Sequence, residues 1–148
     1  MMLALACDIR ICAEHATFGM PELKLGFPAG GGAPYRLPRL IAMGPAMEIL
    51  LTGDRITAEQ AYHWGLVNKV VRASALLDEA LALAERVVAN PPLAVRAAKE
   101  LAIRGLDQCF EDNLRLQQSL SWICQQTEDA REGPLAFREK RKPEWKGQ

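Results

Sequence analysis

The sequence predicts an α/β chain in two parts, a mixed α/β part over residues 1–73 and a helical part over residues 74–148. Three observations carry that reading. Polar and apolar residues alternate in Asp8-Ile9-Arg10-Ile11, the period of a half-buried strand. Thr57-Ala58-Glu59-Gln60 is a capping box, in which Thr57 and Gln60 exchange hydrogen bonds with free backbone N–H groups and open a helix. From Ser74 onward the apolar residues recur at helical spacing instead.

Residues 1–7 read as the buried end of a helix, because an apolar run stands where chain ends are usually polar and frayed. A short strand follows over Asp8–Ile11 and a second over Thr17–Gly19, and residues 20–39 read as a loop. Pro45–Thr52 forms a short helix closed by a turn at Gly53-Asp54. The helix opened by Thr57 ends at Gly65, and Leu66–Val71 reads as a strand. Leu76, Leu77, Ala80, Leu81, Ala84, Val87 and Val88 then share one helix face. Asn90-Pro91-Pro92 stops that helix and starts another running to Arg104. Asp112–Gln126 forms a third helix, and Thr127 caps a last one bearing Ala136 and Phe137.

Bulk properties exclude several functions. The 148 residues suffice for one domain with a real core. Eighteen basic and eighteen acidic side chains cancel. No general attraction to nucleic acid or anionic membrane follows from such a balance. The basic run Arg138–Lys146 reads as a solvated helix end. No apolar segment approaches the roughly twenty residues of a membrane helix. Cys7, Cys12, Cys109 and Cys124 have no C-x-x-C spacing and read as reduced core residues of a cytoplasmic protein. His63 has no second histidine at metal-binding spacing, so no metal is expected.

One segment reads as a site. Pro21 sets the backbone entering Glu22, and Gly30-Gly31-Gly32 follow, allowing a tight turn or a close approach of backbone to a ligand. A lone carboxylate so placed is a candidate for proton transfer, with a solvated loop residue as the alternative. Asp8 reads as a turn acceptor, while Arg36 and Arg39 read as donors to carbonyls or carboxylates nearby.

Leu3-Ala-Leu-Ala-Cys-Asp-Ile-Arg10, Ala16-Thr-Phe-Gly-Met-Pro-Glu22, Arg36-Leu-Pro-Arg39 and Leu51-Thr-Gly53 then occur in order, followed by Ala61-x-x-x-Gly-Leu-Val67. Glu128-Asp-Ala-Arg-Glu-Gly-x-x-Ala-Phe-x-Glu-Lys-Arg-Lys-Pro-x-Trp145 closes the series. Together these resemble the crotonase superfamily of enoyl-CoA hydratases and isomerases. The resemblance covers every residue, but only the C-terminal part of the family's usual length. It implies that roughly one hundred residues precede Met1 in a full-length version.

The fold implied is part of a crotonase ββα spiral followed by a helical segment that helps build homotrimers or hexamers. The activity implied is hydration or double-bond isomerisation of an acyl-CoA thioester in fatty acid metabolism. Coenzyme A enters as part of the substrate, and no cofactor is needed. Two backbone N–H groups, both upstream of Met1 in this alignment, would hold the thioester oxygen as negative charge develops on it.

Glu22 falls on the second of the family's two acidic positions, and Met2 falls on the first. A thioether neither transfers a proton nor orients water by charge. The resemblance therefore implies a one-carboxylate centre, sufficient for isomerisation and poorer for hydration. Pro21 and Gly30 are implied in the substrate pocket, while Phe137, Lys140 and Lys142 lie in the segment that approaches coenzyme A, often from a neighbouring subunit. Gly26-Phe27-Pro28 carries its proline one place early, which implies a changed pocket shape. The alternatives are a catalytically inactive remnant and a non-enzymatic module that associates with full-length relatives.

Overall fold

The computed structural model describes residues 1–148, which divide into two compact units, Met1–Leu81 and Ala82–Gln148. In the first unit the order is α1 (Met2–Leu5), β1 (Ile11–Ala13), β2 (Thr17–Phe18), a 3-10 turn (Pro21–Leu25), α2 (Ala33–Leu40) and α3 (Met43–Thr52). β3 (Ile56–Thr57), α4 (Ala58–His63) and β4 (Lys69–Val71) complete it up to α5 (Leu76–Val88), whose first turns belong here. β1 pairs in parallel with β4, Ile11 opposite Lys69, and β2 pairs antiparallel with β3, Thr17 opposite Thr57.

Local chemistry explains most of these elements. Thr57 and Gln60 make both bonds of the capping box and open α4. Gly53 takes the left-handed conformation, φ 65°, and closes α3. The first strand lies later than the alternation predicts, because residues 7–9 form a bend and pairing begins at Ile11. Arg10 is the reason. Its side chain is buried and donates to the carbonyls of Leu66 (2.5 Å) and Cys7, while its N–H donates to Asn68 Oδ1 at 2.8 Å. A buried guanidinium needs such acceptors, and finding them turns Arg10 inward and ties the bend to residues 66–68. Leu66 and Val67, expected in the last strand, are instead buried in the connection before β4.

Packing also overrides local signals at α2. Residues 33–40 were expected as loop, and Pro38 removes an internal N–H, yet they form a helix. Ala33 and Leu37, one turn apart, are both fully buried, and burying a leucine side chain stabilises by about 1.5–3 kcal/mol. They join Leu5, Met20, Ala46, Ile49, Ile56, Ala61 and Leu66 in one core. Only Leu5 of α1 enters it; Leu3 is exposed, so the start of the chain is not the buried helix end expected. Of the four cysteines only Cys12 is buried, which pushes its thiol pKa up; Cys7 and Cys109 are exposed.

The second unit holds the rest of α5, α6 (Pro92–Arg104), α7 (Phe110–Gln125) and α8 (Glu128–Glu139). α6 packs on α7, and α7 on α8. No residue of α5, α6 or α7 is buried, and Ala136 is the unit's one buried apolar side chain. Polar contacts hold the segment after α8. Asp129, itself buried, accepts the N–H groups of Lys146 (2.7 Å) and Gly147 (3.0 Å), and Trp145 Nε1 donates to the Ala89 carbonyl at 2.7 Å. Glu132 accepts two bonds from Arg141, at 2.5 and 2.8 Å, and the N–H of Glu144 at 2.9 Å. No helix in the chain is long and apolar enough to cross a membrane.

The Arg141 guanidinium and the Glu144 N–H hold the Glu132 carboxyl at a pKa of about 2, below the ordinary value near about 4.3. A depressed pKa stabilises the folded form fully above the unfolded value, and that stabilisation is lost as pH falls through the folded value. Trp145 fluorescence should therefore be steady above about pH 5 and change as pH falls from about 4 to about 2. Glu132→Gln should flatten that acid transition; an unchanged transition would assign it to other carboxylates.

Candidate functional site

The residue before the site is buried. Met20, 1 % exposed, anchors the chain, and Pro21 then starts the 3-10 turn with its fixed φ. Glu22 is the second residue of that turn and is half-buried. Its backbone carbonyl accepts the Phe27 N–H at 3.2 Å, and its Oε1 faces the Gly30 N–H at 3.5 Å. That distance is the outer limit of a hydrogen bond, so the carboxylate is oriented by the glycine turn more than it is held by it. On the outer side of the 3-10 turn, Lys24 pairs with Asp54 at 2.5 Å; both are largely exposed, so the pair contributes little.

Gly31 and Gly32 have φ 59° and 77° and lead directly into α2, with the Ala33 N–H bonded to Gly30 O at 3.0 Å. Side chains close on this turn from two sides. A Cβ on Gly31 would overlap the Met2 side chain, and one on Gly30 would lie 3.8 Å from Met2 Sδ. A Cβ on Gly32 would overlap the Arg36 guanidinium, whose Nη1 donates to Gly31 O at 2.7 Å. Positive φ favours glycine at both positions, and at Gly31 the Met2 side chain, down to its Cβ, adds crowding.

Glu22, Gly30 and Met2 thus meet at one turn, with Pro21 at its entrance. A carboxylate beside a backbone N–H and a thioether can take up and return a proton, while the thioether supplies no second acid or base. Phe137 and Lys140 lie elsewhere, in the second unit. Phe137 is 86 % exposed on α8, and Lys140 ends that helix at φ 56°, the one non-glycine residue at positive φ. Arg39 donates to the Tyr35 carbonyl at 2.9 Å, as Arg36 does to Gly31 O, so both arginines serve carbonyls. The role of Asp129 was not visible in the sequence; its only signal was an acidic residue in the first turn behind a Thr127 cap. No group of three or more His, Cys, Asp or Glu side chains is placed to share a metal ion.

Known proteins resemble this chain along its whole length. The family model described as enoyl-CoA hydratase/isomerase matches residues 1–148. Carnitinyl-CoA dehydratase of Salmonella arizonae is 46 % identical over 149 aligned residues, covering 98 % of this chain and 57 % of the relative. Carnitinyl-CoA dehydratase of Proteus mirabilis is 42 % identical with the same coverage, 98 % and 57 %. The chain therefore spans about 57 % of the length of the curated relatives it matches. Among solved structures, the enoyl-CoA hydratase of Mycobacterium marinum superposes with a TM-score of 0.95 at 42 % identity, over 99 % of this chain and 58 % of the other. The enoyl-CoA hydratase of Bacillus anthracis gives 0.95 and 42 %, over 99 % and 57 %. The mixed helices and small sheets described above are thus the crotonase fold over the shared residues. Matched along its whole length by the family model and by these structures, the chain belongs to the enoyl-CoA hydratase/isomerase family.

Proposed function

We propose that this chain is the Glu22-bearing part of an enzyme that moves a proton at the carbons next to a coenzyme A thioester. The observation that carries the reading is Glu22 set against the Gly30 N–H of the glycine turn. Gly30 has no side chain and only Met2 Sδ near it, at 3.8 Å from a Cβ, so at that residue a flat thioester can approach the backbone beside the carboxylate. Relatives with 42–46 % identity are named for removing water from carnitinyl-CoA, which makes carnitinyl-CoA the first substrate to assay. Coenzyme A is then substrate rather than a resident cofactor. The remainder of a full-length protein would supply the two N–H donors for the thioester oxygen. Pro21 and Gly30 would line the pocket, and Phe137 and Lys140 would meet the coenzyme A end. Assembly as a homotrimer or hexamer in the cytoplasm completes the proposal.

Met2 favours isomerisation as the specific reaction. Glu22 alone can take a proton from one carbon and return it to another, leaving an enolate between the two steps. Adding or removing water gains from a second group that holds the water, and Met2 occupies that place beside the turn. The test joins residues 1–148 to the remaining part of the Salmonella arizonae relative and assays both reactions. Turnover by the parent, with hydration rising relative to isomerisation in Met2→Glu, is the expected result. An unchanged ratio would remove Met2 from the choice of reaction. A folded completed protein with no turnover would favour the inactive remnant or the associating module.

A further inference from the structure

We infer that Arg36 is a positioning residue for Glu22, acting through the glycine turn; this rests on the proton-transfer role proposed for Glu22. Arg36 lies in the first turn of α2, where the helix dipole disfavours a cation by about 0.3–1 kcal/mol. Its side chain is solvent-exposed yet folds back along the chain. Its Nη1 donates to Gly31 O at 2.7 Å, and its guanidinium fills the space beside Gly32 that a Cβ would occupy. Its own N–H bonds Gly32 O at 3.0 Å, so one residue holds two successive carbonyls of the turn.

The guanidinium bond fixes the Gly31–Gly32 peptide plane, and the Ala33 N–H on Gly30 O holds the plane before it, which together narrow the arrangements open to the Gly30 N–H. Glycine has the largest backbone freedom to lose, so three in succession would otherwise sample many arrangements. The Gly30 N–H is the backbone donor facing Glu22 Oε1. Arg36 touches neither Glu22 nor the place of a substrate. It steadies the turn that carries the donor facing the carboxylate.

A double-substitution cycle read by the Gly30 amide resonance tests this without relying on catalysis. In the protein completed with the relative's remaining residues and labelled at glycine, at neutral pH, Glu22→Gln should move the Gly30 amide proton, because a charged acceptor is replaced by a neutral one. In the Arg36→Met background the same replacement should move it by less than half as much. Arg36→Lys, which keeps the charge and a donor, should restore part of the response and covers the case in which Arg36→Met does not fold. An equal Gly30 response in the parent, Met and Lys backgrounds would overturn the inference. The kinetic effect of Glu22→Gln is a separate measurement, so failure of the catalytic reading and failure of the clamp are distinguishable.

Discussion

Glu22→Gln in the protein completed with a relative's remaining residues should lower turnover by about 10²–10⁴, the usual worth of general acid–base catalysis. The replacement keeps the shape of the side chain and an oxygen for the Gly30 N–H, so the turn has no reason to rearrange. It removes the ability to accept a proton. A loss in kcat with little change in KM would mark a group that acts in the transition state rather than in uniform binding. Steady-state assays of carnitinyl-CoA dehydration, crotonyl-CoA hydration and enoyl-CoA isomerisation measure it. Turnover equal to the parent's would take Glu22 out of the mechanism.

Residues 1–148 expressed alone should self-associate and show no turnover of acyl-CoA. Leu77, Val88, Phe110 and Trp122 stand exposed on α5 and α7, and α5–α7 bury no residue at all. Each such side chain gains about 1.5–3 kcal/mol when covered. A fold with only about 5–15 kcal/mol in hand responds strongly to where they end up. Under the proposed function the oxyanion donors lie outside residues 1–148, and each absent donor costs about 10²–10³ in rate. Sedimentation velocity and the same assays check both statements. A stable monomer that turns over substrate would show that residues 1–148 need neither partner nor remainder.

Where a short pattern carried its own hydrogen bonds, the sequence was a sufficient guide. Thr57 and Gln60 form their capping box, Thr127 caps α8, Gly53 and Gly65 take positive φ, and Pro92 opens α6. Glu22 and the glycine run could be singled out because a lone carboxylate among Pro and Gly is unusual for packing. What stayed hidden depended on distant partners. Helix α2 forms despite Pro38 because Ala33 and Leu37 find a core, and β1 starts late because Arg10 finds carbonyls at Cys7 and Leu66. The contact between Met2 and Gly31 joins positions that no local pattern relates. Cysteine hydrophobicity misled for the same reason, since Cys7 and Cys109 are left with no core to enter.

The pairing of β1 with β4 has a consequence for what keeps it formed. Arg10 and Asn68, which bond at its edge, are 58 residues apart in sequence. Closing a loop of that length costs about 3–4 kcal/mol of chain entropy beyond a length-independent constant. The return is one three-residue parallel ladder, less than an isolated sheet needs to persist in water. Helices α2, α3 and α4, which lie inside the loop, place Ala33, Leu37, Ala46, Ile49, Ala58 and Ala61 in one core, and that burial offsets the cost of closure. The ladder thus depends on the helices' core to persist, and Arg10, bonded at once to residues 7, 66 and 68, ties the two chain segments at its edge.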